Sequence, residues 1–368
     1  SLHQYLKIFI ILSLNLFMSA FSLEWFYIGL EEYEYITKRS ILTKIISFIF
    51  MVIFIKSEKD IYLYVIFLIL GISLNGIFNI YNSKKYIKIS FEKLELKKYI
   101  NLLKYFYFQV IMGCLYNGTD QVILGLNSTK DQVAYYARSR QLISVIVAIS
   151  LSFANTIIPR LNNKIESKEE YKKLVNLSFD FTCFLSFPFL IGTLLLSENL
   201  LYIIGKDKFL PATNILRILA GLLIVTLGAV FLNTNISIPH NKEKNTFYGN
   251  IGVMIVSVVI SLLLTEKYGG IGSAIAITIG EFIGILIQLF FIKKQNLYLG
   301  FVSKNTIKYL VSALVMGGVI LSIKLQNLGY IKEFIFCFVS GGAIYIIVLF
   351  FLKEKLIKKL LIKILTKI

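Results

Sequence analysis

Long apolar runs recur from one end of the chain to the other, and the charged residues gather in the short stretches between them. A helix needs roughly 20 apolar residues to cross the hydrocarbon core of a bilayer, whereas a barrel strand shows about ten residues of strict alternation. The runs here are continuous, so they predict helices. The pattern places about eleven spans, near Ile8 to Ile28, Ile41 to Ile55, Ile61 to Tyr81, Leu102 to Leu126, Gln132 to Ile158, Leu174 to Leu196, Asn214 to Leu232, Thr246 to Leu264, Ile271 to Ile292, Tyr309 to Ile323 and Phe334 to Leu352. The stretch from Ile41 is short for a full crossing. The expected fold class is an all-α integral membrane protein.

Composition agrees, with 57% hydrophobic residues and a mean hydropathy of +0.74. A formal net charge of +18 would point to nucleic acid in a soluble protein, but the positive residues follow the membrane instead. One set of alternating loops holds Lys38, Arg39 and Lys44, then the lysines from Lys84 to Lys104, then Arg160 to Lys173, then Lys242 and Lys244, then Lys293 to Lys308, and finally the tail from Lys353 to Lys367. The intervening loops are short and carry few lysines. The excess assigns the first set to the cytoplasm, with the C-terminus inside. An odd number of spans then puts Ser1 outside, and the expectation is that an odd number of spans precedes it in a longer protein. Cys114, Cys183 and Cys337 lie in apolar runs, and His3 and His240 are far apart, so no disulfide, metal or cofactor pattern emerges.

At the end of the first run stands the cluster Trp25, Phe26, Tyr27, Ile28, Gly29, Leu30, Glu31, Glu32, Tyr33, Glu34, Tyr35 and Ile36. It resembles the pattern Trp-x-(Phe/Tyr)-Gln-Gly-x-Glu-x-Tyr-x-Tyr-Ile of Wzx-type polysaccharide repeat-unit flippases, within the multidrug/oligosaccharidyl-lipid/polysaccharide exporter superfamily. Trp25, Gly29, Glu31, Tyr33 and Tyr35 carry the match, and Ile28 stands where the family usually has Gln. The run from Thr119 to Gly125, the run from Val133 to Arg140, the Pro159-Arg160 pair, the stretch from Gly205 to Ala212 and the stretch from Gly269 to Ala274 are similar to later family motifs in the same order.

The resemblance implies a two-lobe bundle that lacks about three N-terminal helices, because the Trp motif closes the fourth family helix. Residues 1–82 are then the remnant of the first lobe, 83–103 a basic amphipathic cytoplasmic linker, 104–295 the second lobe, and 296–368 two additional helices with a basic tail. It implies translocation of undecaprenyl-pyrophosphate-linked oligosaccharide repeat units across the bacterial cytoplasmic membrane, for capsule, O-antigen or exopolysaccharide synthesis. The implied partners are that lipid-linked oligosaccharide, membrane lipids, and the polysaccharide polymerase and chain-length machinery, with no nucleic acid. A cation-coupled drug antiporter of the same superfamily is the first alternative. A membrane saccharide polymerase or ligase is the second, and it would require a large outer loop with catalytic carboxylates or histidines. No loop of that kind is legible, and the chain is read as a transporter rather than an enzyme.

An ionisable side chain inside a span costs several kcal/mol, so such residues ordinarily face a cavity or a partner. Glu24, Asp120, Arg138, Arg140 and Glu281 qualify. Guanidinium offers a planar donor fork suited to pyrophosphate. Arg138, Arg140, Arg217 and Arg39 are therefore the candidate substrate contacts. Asp120, Glu281 and Glu24 are candidates for coupling or charge pairing. Against these stand ordinary alternatives: an Asp120 pair with Arg138 or Arg140 that fixes two helices, snorkelling of Arg39 at a helix end, a hydrogen bond from Glu281 to a neighbouring helix, and an aromatic belt for Trp25 and the tyrosines. The small residues Gly270, Gly272, Ser273, Ala274, Ala276, Gly280 and Gly284 predict close helix packing, and Pro188 sits within a span, where freed backbone groups permit bending during a transport cycle.

Overall fold

The computed structural model describes residues 6–57, 60–87, 100, 111, 118–297, 300 and 304–354, and all regular structure among them is helical. The chain folds as two compact units, residues 1–96 and 97–368. The expected linker lies, beyond residue 87, outside the described residues.

The first unit contains α1 (Leu6–Ala20), α2 (Glu24–Gly29), α3 (Tyr33–Phe54) and α4 (Ile61–Ser83). Residues Leu6–Gly29 make one stretch of crossing length, but the helix is not continuous as expected. It breaks at Phe21 to Leu23, where Leu23 takes a left-handed backbone with φ 48°. The stretch from Ile41 is also longer than its apolar run suggests. α3 begins at Tyr33 and extends through the charged residues Lys38 and Arg39, giving 22 residues, or about 33 Å of helix. Two small residues set the spacing around α4. A Cβ on Gly76 would meet the backbone oxygens of Phe21 and Met18 at 3.4 and 3.6 Å, and one on Gly71 would lie 2.6 Å from Ser47 Oγ. At the far end of α3, Asp60 accepts hydrogen bonds from the backbone N–H groups of Lys56 and Ser57 and so closes the turn into α4.

The second unit begins with α5, residues 118–127, followed by α6 (Lys130–Lys164) and α7 (Lys168–Gly205). A 3-10 turn leads into α8 (Thr213–Ala220) and α9 (Leu222–Leu232), and a π-helical turn at Asn233–Ser237 precedes α10 (Lys244–Tyr268). The unit ends with α11 (Gly270–Lys294), α12 (Lys304–Lys324) and α13 (Tyr330–Phe351). Leu216, Leu219, Leu223 and Ile277 form a central core with Tyr136 and Ile143 of α6 and Leu201 of α7. A second core joins α7 to α12 and α13 through Cys183, Tyr309, Met316 and Tyr345.

The small residues do pack helices. A Cβ on Gly284 would collide with Val253 Cγ2 and lie 3.1 Å from the Gly249 oxygen, and one on Gly272 would meet the Leu264 oxygen at 2.6 Å. α10 and α11 therefore approach backbone to backbone, the arrangement that dispersion favours where lipid gives apolar contact no advantage. α7 carries Pro188 within it, and its non-helical geometry falls at Leu196. Ser197 Oγ bonds back to the Thr193 oxygen, the local competition that bends helices at serine.

Seven stretches among the described residues are long and apolar enough to cross a membrane, and one of them, Lys168–Ser237, folds as α7 together with α8 and α9. Their outward faces are apolar, as at Phe336, Phe338 and Val339 of α13. The protein is a multi-pass membrane protein.

Replacing Gly284 by Leu should lower the thermal unfolding midpoint of the purified protein, because overpacking a tight contact costs about 1–3 kcal/mol. Gly342→Leu, where a Cβ meets nothing within 4 Å, serves as the comparison. Equal midpoints for the two variants would contradict the close approach of α10 and α11.

Candidate functional site

Polar residues on α3 and α4 recur every fourth position and meet in antiparallel register. Arg39 faces Asn79, Thr43 faces Asn75, and Ser47 faces Gly71. Arg39 is only 5% exposed. It donates to Asn79 Oδ1 and, at 3.3 Å, to Ser40 Oγ, and it pairs with Glu24 at 3.8 Å. Thr43 Oγ1 donates to Asn75 Oδ1 at 2.9 Å. Asn79 also donates its amide to the Ser22 carbonyl, in the break between α1 and α2. The tyrosines of the Trp motif complete the site: Tyr27 donates to the Asn79 carbonyl at 2.8 Å and Tyr35 to the Phe78 carbonyl at 2.9 Å, with the Arg39 guanidinium 5.8 Å from the Tyr35 ring.

Two expectations are corrected by this arrangement. Arg39 does not snorkel to water, because its position on α3 points it at α4, where Asn79 takes its charge-assisted hydrogen bond. Tyr27 is fully buried and so does not belong to an interfacial belt, and its hydroxyl, like that of the half-buried Tyr35, satisfies a carbonyl of α4. Trp25, 71% exposed, and Tyr33 lie at the surface. Gly29 has open space where a Cβ would stand, and the left-handed backbone of the motif falls on Glu31, at φ 58°.

In the second unit, Asp120 on α5 is buried and accepts from the Tyr136 hydroxyl and, at 2.8 Å, from the Gln121 backbone N–H. Arg140 lies 3.7 Å from the same carboxylate. Tyr136 and Arg140 are four residues apart on α6, so both reach Asp120 from one helical face. Arg138 is roughly 200° from Arg140 around the helix, and it is exposed, donating to Gln141 Oε1 at 2.8 Å. The structure therefore joins Asp120 to Arg140 and does not bring the two arginines together. Arg217 of α8 donates to Glu198 at 3.0 Å, and Glu281 is buried midway along α11 beside the tight contact at Gly280 and Gly284. Asn79, Asn75 and Tyr136 carry weight that the apolar pattern and the family motifs did not assign to them. Their four-residue spacing from one another or from Arg140 is the signal that finds them. Among the described residues no group of three or more His, Cys, Asp or Glu side chains could hold a metal ion.

Removing the Arg39 acceptor should cost more than removing a neutral rung. A hydrogen bond to a charged group is worth about 1.5–3 kcal/mol and a neutral one about 1 kcal/mol. Asn79→Leu should therefore lower the thermal midpoint of the purified protein well beyond Thr43→Val. Equal losses would show that the buried guanidinium does not depend on Asn79.

A family model described as polysaccharide biosynthesis protein matches residues 3–214, more than half of the chain. A probable low-salt glycan biosynthesis flippase of Haloferax volcanii is 22% identical over 249 residues, covering 65% of this chain and 51% of the relative. A capsular polysaccharide biosynthesis protein of Staphylococcus aureus is 27% identical over 193 residues, covering 51% of this chain and 48% of the relative. The chain spans about half the length of these two curated relatives. Among solved structures, the lipid II flippase MurJ in an inward closed conformation superposes with a TM-score of 0.66 at 19% identity, over 86% of this chain and 66% of that one. The likeness establishes the fold, and the resemblance first carried by the Trp motif is borne out.

Proposed function

The chain belongs to the polysaccharide biosynthesis protein family, and from that premise we propose that it translocates a lipid-linked oligosaccharide, of the undecaprenyl-pyrophosphate class, from the inner to the outer leaflet of a bacterial cytoplasmic membrane. The family match over residues 3–214 is the observation that carries this reading. The relatives named as a glycan biosynthesis flippase and a capsular polysaccharide biosynthesis protein support it. The product then feeds capsule, O-antigen or exopolysaccharide synthesis, and a polysaccharide polymerase with its chain-length machinery is the downstream partner. The protein acts as a transporter, without bond-breaking chemistry of its own.

The cations divide the work according to their surroundings. Arg138, exposed on α6 with Gln141 as its neighbour, is the guanidinium of that helix best placed to take a pyrophosphate oxygen. Arg140 holds Asp120 and so fixes α5 against α6. Arg39 holds the break between α1 and α2 against α4 through Asn79 and Glu24.

That division is tested with the whole protein in cells lacking their own flippase, by measuring surface polymer. Losing a charge-assisted contact lowers an equilibrium constant roughly tenfold to a hundredfold. Arg138→Ala should therefore reduce export while leaving the thermal midpoint unchanged, with Arg138→Lys only partly restoring it. Arg140→Ala should lower the midpoint as well. Unimpaired export from Arg138→Ala at equal expression would remove Arg138 from the cargo path. Drug efflux from the same cells without polymer export would favour the antiporter reading.

The proposed orientation places the C-terminus and the end of α4 in the cytoplasm. Single cysteines at Lys84 and Lys294, in a background without native thiols, should react only with membrane-permeant reagents. A cysteine at Lys267, in the last turn of α10, should react with an impermeant one in intact cells. The reverse pattern would invert the topology.

A further inference from the structure

The C-terminal parts of α7 and α12, the last turn of α8 and the first turn of α13 meet around four charged side chains. Arg217 donates to Glu198 at 3.0 Å. The Lys324 ammonium lies 3.8 Å from Glu198 and 4.0 Å from Glu333, and it donates to the Leu195 carbonyl at 3.0 Å, in the turn where α7 departs from helical geometry. Asn199 ties the group to α13 by donating to Glu333 at 3.1 Å and to the Tyr330 carbonyl at 3.0 Å. Beside these side chains is a cavity of about 610 Å³ lined by Arg217 and Lys324 but by neither glutamate, and walled by Leu194, Leu195, Leu321, Ser322 and Leu325.

We propose that this cavity binds an anionic phospholipid, with the headgroup phosphate between Arg217 and Lys324 and an acyl chain along the leucine wall. Three observations select that ligand. First, the lining is two cations and otherwise mainly leucine, which suits a molecule with a phosphate at one end and alkyl chain at the other. Second, among the described residues a single acceptor occupies one of the five donors of Arg217, and the side chain remains 41% accessible, so donors are available to phosphate oxygens. Third, Leu321 is 52% exposed in the last turn of a helix long and apolar enough to cross the membrane, where lipid chains are the natural neighbours. Lys324 ends that helix one turn beyond Leu321, so cation and leucine follow one another along it in the order of phosphate and chain. Glu198 and Glu333 position the two cations and contribute no contact to the lipid. By the loop charges, the site belongs to the outer leaflet.

The test is binding of fluorescent phosphatidylglycerol to the purified full chain in detergent, with phosphatidylcholine as the neutral-headgroup control. The wild type should prefer phosphatidylglycerol, and Arg217→Gln and Lys324→Gln should each weaken it by roughly tenfold. Ser322→Trp fills the cavity while leaving every ion pair in place, so it should abolish binding without changing the thermal midpoint. It also decides the matter if either glutamine variant fails to fold. Unchanged phosphatidylglycerol affinity in Ser322→Trp would overturn the proposal. Displacement of the lipid by millimolar inorganic phosphate would overturn it in favour of a soluble-anion site.

Discussion

Inside a bilayer a polar group has no water to fall back on, and the folded chain must supply every partner itself. The Arg39 to Asn79 contact is where this protein meets that constraint most directly. A buried guanidinium is expensive unless its charge is shared, and here Asn79 and Glu24 share it while Asn79 also takes a free carbonyl at the break between α1 and α2. The broken α1–α2 segment, the antiparallel pair α3 and α4, and the inward tyrosines all converge on those two side chains. The Trp motif thus has a physical content in this chain: it is the outer part of a polar lock whose centre lies on helices further along the sequence.

The second unit solves the same problem by pairing. Asp120 is satisfied by Tyr136, a backbone N–H and Arg140, and Arg217 and Lys324 lean on Glu198 and Glu333. Between these polar posts the packing is made by absence of side chains, with Gly249, Gly280 and Gly284 letting α10 and α11 touch backbone to backbone. On the proposed function, the helices must hold their shape while charged groups stay available. Glycine contacts and paired charges serve the first need, and the proposal assigns the second to exposed cations such as Arg138.

Much of the fold was legible because bilayer thickness sets a length scale that apolar runs display openly. The small-residue packing of α11 was legible for a similar reason, and so was a pairing of Asp120 with Arg138 or Arg140, though not which of the two, since close approach and charge pairing leave residue-type signatures. The break at Leu23 was not, because no Gly or Pro marks it and its backbone is held by Asn79, more than fifty positions later in the chain. Nor was the bend at Leu196, where a serine back-bond rather than Pro188 marks the irregular turn. The rungs between α3 and α4 were visible as a four-residue spacing of Arg39, Thr43 and Ser47 against Asn75 and Asn79, but a spacing on two helices becomes a site only once their register is known. The charge cluster around Glu198 shows the limit most plainly, because Lys324, which pairs with it, and Glu333, which pairs with Lys324, come from helices far along the chain and nothing local announces them.

The central claim is transport of a lipid-linked saccharide. Its most direct measurement uses proteoliposomes containing the whole protein and a fluorescent undecaprenyl-pyrophosphate oligosaccharide, with a membrane-impermeant reductant reporting how much label lies in the outer leaflet. The account predicts that label placed in the inner leaflet becomes accessible at a rate proportional to the amount of protein. It also predicts that Arg138→Ala slows the exchange roughly tenfold or more at equal reconstitution. Exchange no faster than in protein-free vesicles, with the protein shown to be folded, would contradict it.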